Sequence, residues 1–312
     1  MIRRISLRLT SGVGVVVAVF TLVFAVLRVL PGDPVSLAAN ADAGGGAPSQ
    51  ATIAALRAQY GLDRPLWQQY FSALGDFVRG DWGTSVVTGQ PVTTTLFDAL
   101  PSTAELALSA LVLGAVTAFV LAFVATYRPA GAVARAISQI PSVLVSLPTF
   151  AVGLVLIQVF AFGFHLVPAF GDNGSASLVL PAVTLAVPVA GYLAQIMMSG
   201  MREAAAEPYV DVARAKGASE VLVHLRHVAP AAVLPALSAL GVLVGSALAG
   251  AVVVETVFSR AGLGRLTQQA VAAHDGPVML ATVVVSAAVF VVVTLAVDLI
   301  SPLVDPRSRV AA

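Results

Sequence analysis

Six long apolar runs constrain this chain more than any other feature. They cover residues 10–30, 102–126, 137–163, 178–200, 232–254 and 277–303. About 20 consecutive apolar residues are needed for a helix to cross the ~30 Å hydrocarbon layer of a bilayer. With no water inside that layer, the backbone must satisfy its own hydrogen bonds, which favours helices over open sheets. Composition agrees: 58% of residues are hydrophobic and 11% charged, where soluble domains carry about 25% charged residues. The expected fold is therefore an all-α membrane protein with six transmembrane helices.

Arg3, Arg4 and Arg8 precede the first run. A basic start before an apolar stretch also describes a secretory signal peptide. This run is long for one, however, and no small-residue cleavage pattern follows Arg28, so it reads as a retained first span. Residues 31–101 form the one long polar region, giving three parts: 1–30 as tail and first span, 31–101 as an extracytoplasmic segment, and 102–312 as a five-span core. Within 31–101 the Gly/Ala-rich stretch 43–49 suggests a flexible turn. Ile53, Leu56 and Tyr60 share one helical face. Leu66, Trp67, Tyr70, Phe71, Leu74, Phe77 and Val78 recur at helical spacing, an aromatic-rich set suited to the membrane interface or to packing on the spans. Pro141, Pro148, Pro181, Pro188 and Pro235 fall inside apolar runs, where neighbouring helices can satisfy the freed carbonyls. Gly241, Gly245, Ser246, Ala249 and Gly250 offer surfaces for close helix packing.

Orientation follows from the arginines in short connections. With the N-terminus inside, Arg3, Arg4, Arg8, Arg128, Arg135, Arg202, Arg214, Lys216, Arg226, Arg307 and Arg309 are cytoplasmic. Arg57, Arg64, Arg79, Arg260 and Arg265 lie outside. Both termini and the polar island 202–235 then face the cytoplasm, and 31–101 faces outward.

Catalytic motifs are missing. Lys216, the sole lysine, lies between Ala215 and Gly217, so there is no Gly-Lys-Ser/Thr phosphate loop. The histidines are His165, His224, His227 and His274. His224 and His227 stand at i, i+3, but without a third ligand they read as an ordinary helix surface rather than a metal pair. There is no cysteine, and no Gly-x-Ser-x-Gly elbow. A net charge of +1 gives no argument for nucleic acid.

The island 202–235 is the polar exception between two apolar runs. Pro208 suits a first helical position, Gly217 a helix end and Ser219 a new N-cap. A helix from Pro208 to Lys216 would put Tyr209, Val212, Ala213 and Lys216 on one face and Asp211, Arg214 and Ala215 on its neighbour. Small Ala213 and Ala215 permit close approach, and Arg214 and Lys216 offer charge. From the residues alone, two readings stand side by side: a contact surface for a partner, or a plain cytoplasmic loop with an Asp211–Arg214 pair and a capping glycine.

Asp211-Val-Ala-Arg-Ala-Lys-Gly resembles the EAA loop of ABC importer permeases, commonly Glu-Ala-Ala, three residues, Gly, nine residues and Ile-x-Leu-Pro. Gly217 aligns with its glycine, and His227-Val-Ala-Pro230 with its last four positions. Glu203-Ala-Ala stands at the wrong distance from the glycine and reads as the end of the fourth span. Tyr-Val-x-x-Ala-Arg-Ala-Lys-Gly, here 209–217, is similar to the form found in dipeptide, oligopeptide and nickel permeases. Leu30-Pro-Gly-Asp-Pro, Tyr60-Gly-Leu-Asp-Arg-Pro-Leu, Gly80-Asp-Trp-Gly-Thr-Ser, Leu100-Pro-Ser-Thr, Val254-Glu-Thr-Val-Phe-Ser, Gly262-Leu-Gly-Arg-Leu and Asp305-Pro-Arg resemble the B-type permease of that family, in order along nearly the whole chain. The chain departs from the pattern at Asp211 and Val212, at Ala229, and at Arg260-Ala261, where an aromatic and a proline are common.

The resemblance implies a non-catalytic permease in a bacterial plasma (inner) membrane, crossing it several times and forming half of a pathway for di- or oligopeptides. Its implied partners are a second homologous permease, two ABC ATPase subunits, an extracytoplasmic solute-binding protein and the lipid bilayer, with no nucleic acid. It implies no cofactor in this chain, with ATP and Mg held by the ATPases. A coupling helix would use Tyr209, Asp211, Val212, Ala213, Arg214, Ala215, Lys216 and Gly217, closed by His227 and Pro230. Glu255, near Arg260 and Arg265, reads either as part of a structural ion pair or, with Phe258, as an outer gate or entrance. Asp298, near the inner end of the last run, is placed to pair with Arg307. The competing class is a self-sufficient channel or secondary transporter, which would need a midplane site.

Overall fold

The computed structural model describes residues 2–29, 63–172 and 174–304. Among them there is no strand, only an isolated bridge between Thr84 and Pro91. The chain divides into two compact units. One comprises Met1–Ser102 and Ala261–Val291; the other comprises Thr103–Arg260 and Val292–Ala312.

The first unit is built on α1 (Ile2–Val29), α2 (Leu66–Val78), the start of α3 (Val92–Tyr127), α11 (Leu263–Ala272) and the first part of α12 (Gly276–Val304). The aromatic repeat at 66–78 does form a helix. Tyr70 and Phe77 meet Phe20 of α1 edge-on at 5.8 and 5.6 Å, and the Tyr70 hydroxyl lies 2.8 Å from Thr21 Oγ1. On the adjoining flank of α2, Leu66, Trp67, Phe71 and Val78 stay exposed. Trp82 stacks between Phe77 and Phe97, closing a core around Leu96, Leu263 and Val278. The face of Ile53, Leu56 and Tyr60 lies outside the described residues.

The second unit is centred on α7 (Val179–Ala205), which is buried on nearly all sides along its middle. A helix apolar all round belongs in the interior of a bundle. Lipid is as apolar as leucine, so burial alone does not hold such helices together, and backbone proximity does. A Cβ added at Gly114 would sit 2.6 Å from Val189, at Gly191 2.9 Å from the Pro141 carbonyl, and at Gly250 2.8 Å from Leu185. These glycines seat α3, α5 (Ile140–Ser146) and α10 (Ala229–Phe258) against α7.

Among the described residues, five helices are long and apolar enough to cross a bilayer. The run 137–163 differs from a simple span. Ala132–Ser146 and Thr149–Gly163 are bent by 103° at a break, so the count reaches six only if this pair crosses once. Proline is the cause. Pro141 begins α5 instead of interrupting it, and Leu147, forced out of the helical region by Pro148, is extended at ψ 126°. Pro188 and Pro235, by contrast, sit inside continuous helices. Beyond the break, α6 (Thr149–Leu156) ends in a π-helical turn, Ile157–Gly163.

Candidate functional site

The polar island folds as a compact knob in the second unit. α7 ends at Ala205, so Glu203-Ala-Ala is its last turn. α8 then runs from Pro208 to Ala215, with proline in the first turn, where a missing N–H costs nothing. Lys216 caps it, and Gly217 follows at φ +83°. The Gly217 N–H donates to Arg214 O at 2.9 Å and the Ala218 N–H to Ala213 O at 3.3 Å. This pair of bonds is the Schellman closure, which needs a left-handed residue at Gly217. Ser219 starts α9 (Glu220–Val223), its hydroxyl accepting from Leu222 N–H at 3.4 Å. A π-helical turn, His224–Val228, then leads into α10.

One residue roots the knob and its neighbours tie it. Val210 is fully buried in the apolar cluster that contains Ala118, Ala122, Val223 and Val228. The Tyr209 hydroxyl donates to His227 O at 3.2 Å. Arg214 bridges Asp211 at 3.0 Å and Glu220 at 3.1 Å, linking α8 to α9. Donating hydrogen bonds to Glu220 and then to Asp211 raises the Arg214 pKa, so its charge is permanent. Exposed pairs of this kind contribute at most about 1 kcal/mol each, so they orient the knob more than they stabilise it. Its outer surface carries Asp211, Val212, Ala215, Lys216 and Gly217, with Val221, Leu222 and Leu225 exposed on the segment that follows. Ala213 is half-buried, as is His227, and Pro230 is exposed in the first turn of α10. The sequence-derived set thus lies on α8 with its cap and on the π-helical turn and first turn of α10.

His224 departs from the helix-surface reading. It is buried, with Nε2 2.8 Å from Thr126 Oγ1. Its ring meets Phe123 and Tyr127 of α3 edge-on at 4.9 and 5.8 Å. Burial lowers its pKa, so the imidazole is held neutral. No cluster of three or more potential metal ligands occurs among the described residues, and the i, i+3 spacing of His224 and His227 gathers no third group.

At the other end of α10 the arrangement is closed. Ser259 adopts the left-handed region at φ 56°, with Arg260 N–H donating to Glu255 O at 2.9 Å. Glu255 is fully buried and accepts from the Thr103 hydroxyl at 2.6 Å. Arg260, also fully buried, pairs with Asp172 at 2.7 Å and Glu105 at 3.4 Å. Phe258 is buried beside Gly153, and its carbonyl accepts from Gly171 N–H. The pairing of Arg260 with Asp172 and Glu105 was not legible from spacing. The sequence signals at Arg260 were its nearness to Glu255 and a charge standing where the resembling family has an aromatic. The proposed Asp298–Arg307 pair lies outside the described residues.

Helices long and apolar enough to cross a bilayer, with an exposed polar knob between two of them, define a polytopic membrane protein. The chain belongs to the family described as binding-protein-dependent transport system inner membrane components, whose profile matches residues 85–310, with the family's N-terminal profile matching 1–107. It is a B-type permease subunit of the dipeptide/oligopeptide branch of ABC importers. It is 33% identical over 310 residues to a probable peptide ABC transporter permease protein, y4tP, of Sinorhizobium fredii, covering 97% of each chain. It is 32% identical to the dipeptide transport system permease DppB of Lactococcus lactis, over 93% of this chain and 94% of that one. It is 31% identical to the glutathione transport system permease GsiC of Escherichia coli, over 99% of each. A chain of the methionine ABC transporter MetNI, solved in inward-facing conformations, shares the fold at a TM-score of 0.52 and 19% identity, over 67% of this chain and 96% of that one. Membership of this family implies partner ATPase and binding-protein components. It also makes this chain a membrane component of the system, distinct from its ATPase.

Proposed function

We propose that this chain forms half of the translocation pathway of an importer for di- or oligopeptides. It pairs with a second, homologous permease, two ATPase subunits and an extracytoplasmic solute-binding protein. Both termini and the knob 202–235 lie in the cytoplasm, as the arginine distribution requires, and residues 31–101 face outward. α8 is the coupling helix. It enters a groove on an ATPase subunit that holds ATP and Mg, and closure of the ATPase pair moves α8 and turns the spans from inward- to outward-facing. Glu255 and Phe258 belong to the outer gate, where the buried corner at 255–260 keeps the pathway shut.

The observation that carries this reading is the asymmetry within α8. Val210 is wholly buried while Val212 is 52% exposed, so a firmly rooted helix presents an apolar and charged surface to solvent. Peptide as the solute is supported by the names of the relatives, and glutathione is itself a peptide. Reconstitution into liposomes provides the test. Uptake of a labelled dipeptide should require both the ATPase subunits and ATP. Uptake by this chain alone would overturn the proposal in favour of a self-sufficient channel or secondary transporter.

A further inference from the structure

The knob is continuous in the chain with α7 and α10, but its movement reaches α3 only through side-chain contacts, and among the described residues one hydrogen bond joins the two. Below the knob, the apolar contacts of Val210, Val223 and Val228 with Ala118 and Ala122 can slide. A hydrogen bond is directional and does not slide in this way. Thr126 carries a single hydroxyl proton. Its Oγ1 lies 2.7 Å from Ala122 O, the usual helix back-bond, and 2.8 Å from His224 Nε2. Both contacts are satisfied when the hydroxyl donates to the carbonyl and the imidazole Nε2–H donates to Oγ1. The edge-on contacts with Phe123 and Tyr127 fix the plane of the same ring. The imidazole is therefore held in position and direction against the last turn of α3. Its backbone belongs to the π-helical turn that follows directly on α9, which Arg214 ties to α8.

We propose that His224 is a positioning residue that transmits displacement of α8 to α3, through Thr126 and the rings of Phe123 and Tyr127. The proposal rests on α8 being the coupling helix. His224 touches neither solute nor ATPase. It determines how much of each ATPase stroke reaches α3.

The test uses the complete transporter, with its second permease, ATPase subunits and binding protein, reconstituted with a labelled dipeptide. His224→Phe keeps an aromatic ring in the pocket and removes the hydrogen bond. Thr126→Val removes it from the other side, and His224→Gln retains a donor. The expected result is ATPase retention on the purified complex within about twofold of wild type in all three. Dipeptide delivered per ATP hydrolysed should fall about fivefold to tenfold in His224→Phe and in Thr126→Val, the scale of one lost hydrogen bond. The double variant should be no worse than either single, because both remove the same interaction. His224→Gln should recover most of the ratio. An unchanged transport-to-ATP ratio in the assembled His224→Phe complex would overturn the proposal, as would strictly additive losses. Loss of the ATPase from His224→Phe and His224→Gln alike would also overturn it, by making the residue part of the docking surface. The coupling-helix reading fails on a separate observation, the absence of any contact between exposed Val212 and the ATPase in the wild-type complex.

Discussion

Two helix ends in the same unit close with the same hydrogen-bond pattern in opposite surroundings. At the end of α8 the left-handed residue is Gly217; at the end of α10 it is Ser259. In each, one N–H reaches back five residues and its predecessor three: Ala218 to Ala213 and Gly217 to Arg214, Arg260 to Glu255 and Ser259 to Thr256. The glycine turn is exposed and its charges lie at the surface. The serine turn is itself half-buried, but the side chains of Arg260 and Glu255 beside it are out of contact with solvent. A non-glycine residue in the left-handed region costs about 1–2 kcal/mol, and the buried corner offsets that with its ion pairs. The exposed knob has no such compensation and uses the residue that needs none. The difference is the one the proposed function uses: the exposed end is proposed to meet the ATPase, the buried corner to keep the pathway shut.

The comparison can be broken most severely at Arg260. Arg260→Ala would leave a cavity and deprive Asp172 and Glu105 of their common partner. Removing one member of a buried pair costs about 3–5 kcal/mol, and the partial exposure of both acids places the expected loss near the lower bound. A fall of roughly 5 °C or more in the detergent melting temperature should follow, and an unchanged melting temperature would show the corner to be no clasp. Gly217→Val should be milder for the fold and harsher for function. The strain of a left-handed β-branched residue is about 2 kcal/mol, confined to an exposed turn that can refold locally. Membrane insertion should persist with a smaller shift in melting temperature, while ATP hydrolysis continues uncoupled from uptake. Solute-stimulated ATPase activity and uptake both at wild-type levels would remove the distinction between the two turns.

Much of the knob was legible because turn chemistry is local. Pro208, Gly217 and Ser219 each act on their own backbone, and each occupies the position that its chemistry predicts. The aromatic spacing of 66–78 was equally local. What lay beyond reading was anything that depends on a distant partner. An apolar run shows that 137–163 belongs with lipid or protein, but hydropathy is blind to Leu147 being turned out of the helix before Pro148. His224 and His227 share a helical spacing, yet spacing does not reveal which of them is covered, and the cover comes from Thr126, 98 residues away. Arg260 gave a similar lesson, since the acids that pair with its guanidinium include Asp172 and Glu105, both distant in sequence.

The central claim is that the exposed face of α8 is where the ATPase engages. Placing a photo-crosslinking side chain at Val212 in the assembled transporter tests it most directly, with buried Val210 as the internal control on the same helix. A crosslink from position 212 to the ATPase subunit, changing in yield when ATP binds and absent from position 210, is the expected result. Position 212 reacting only with lipid or detergent, in a complex that still retains its ATPase, would contradict the account.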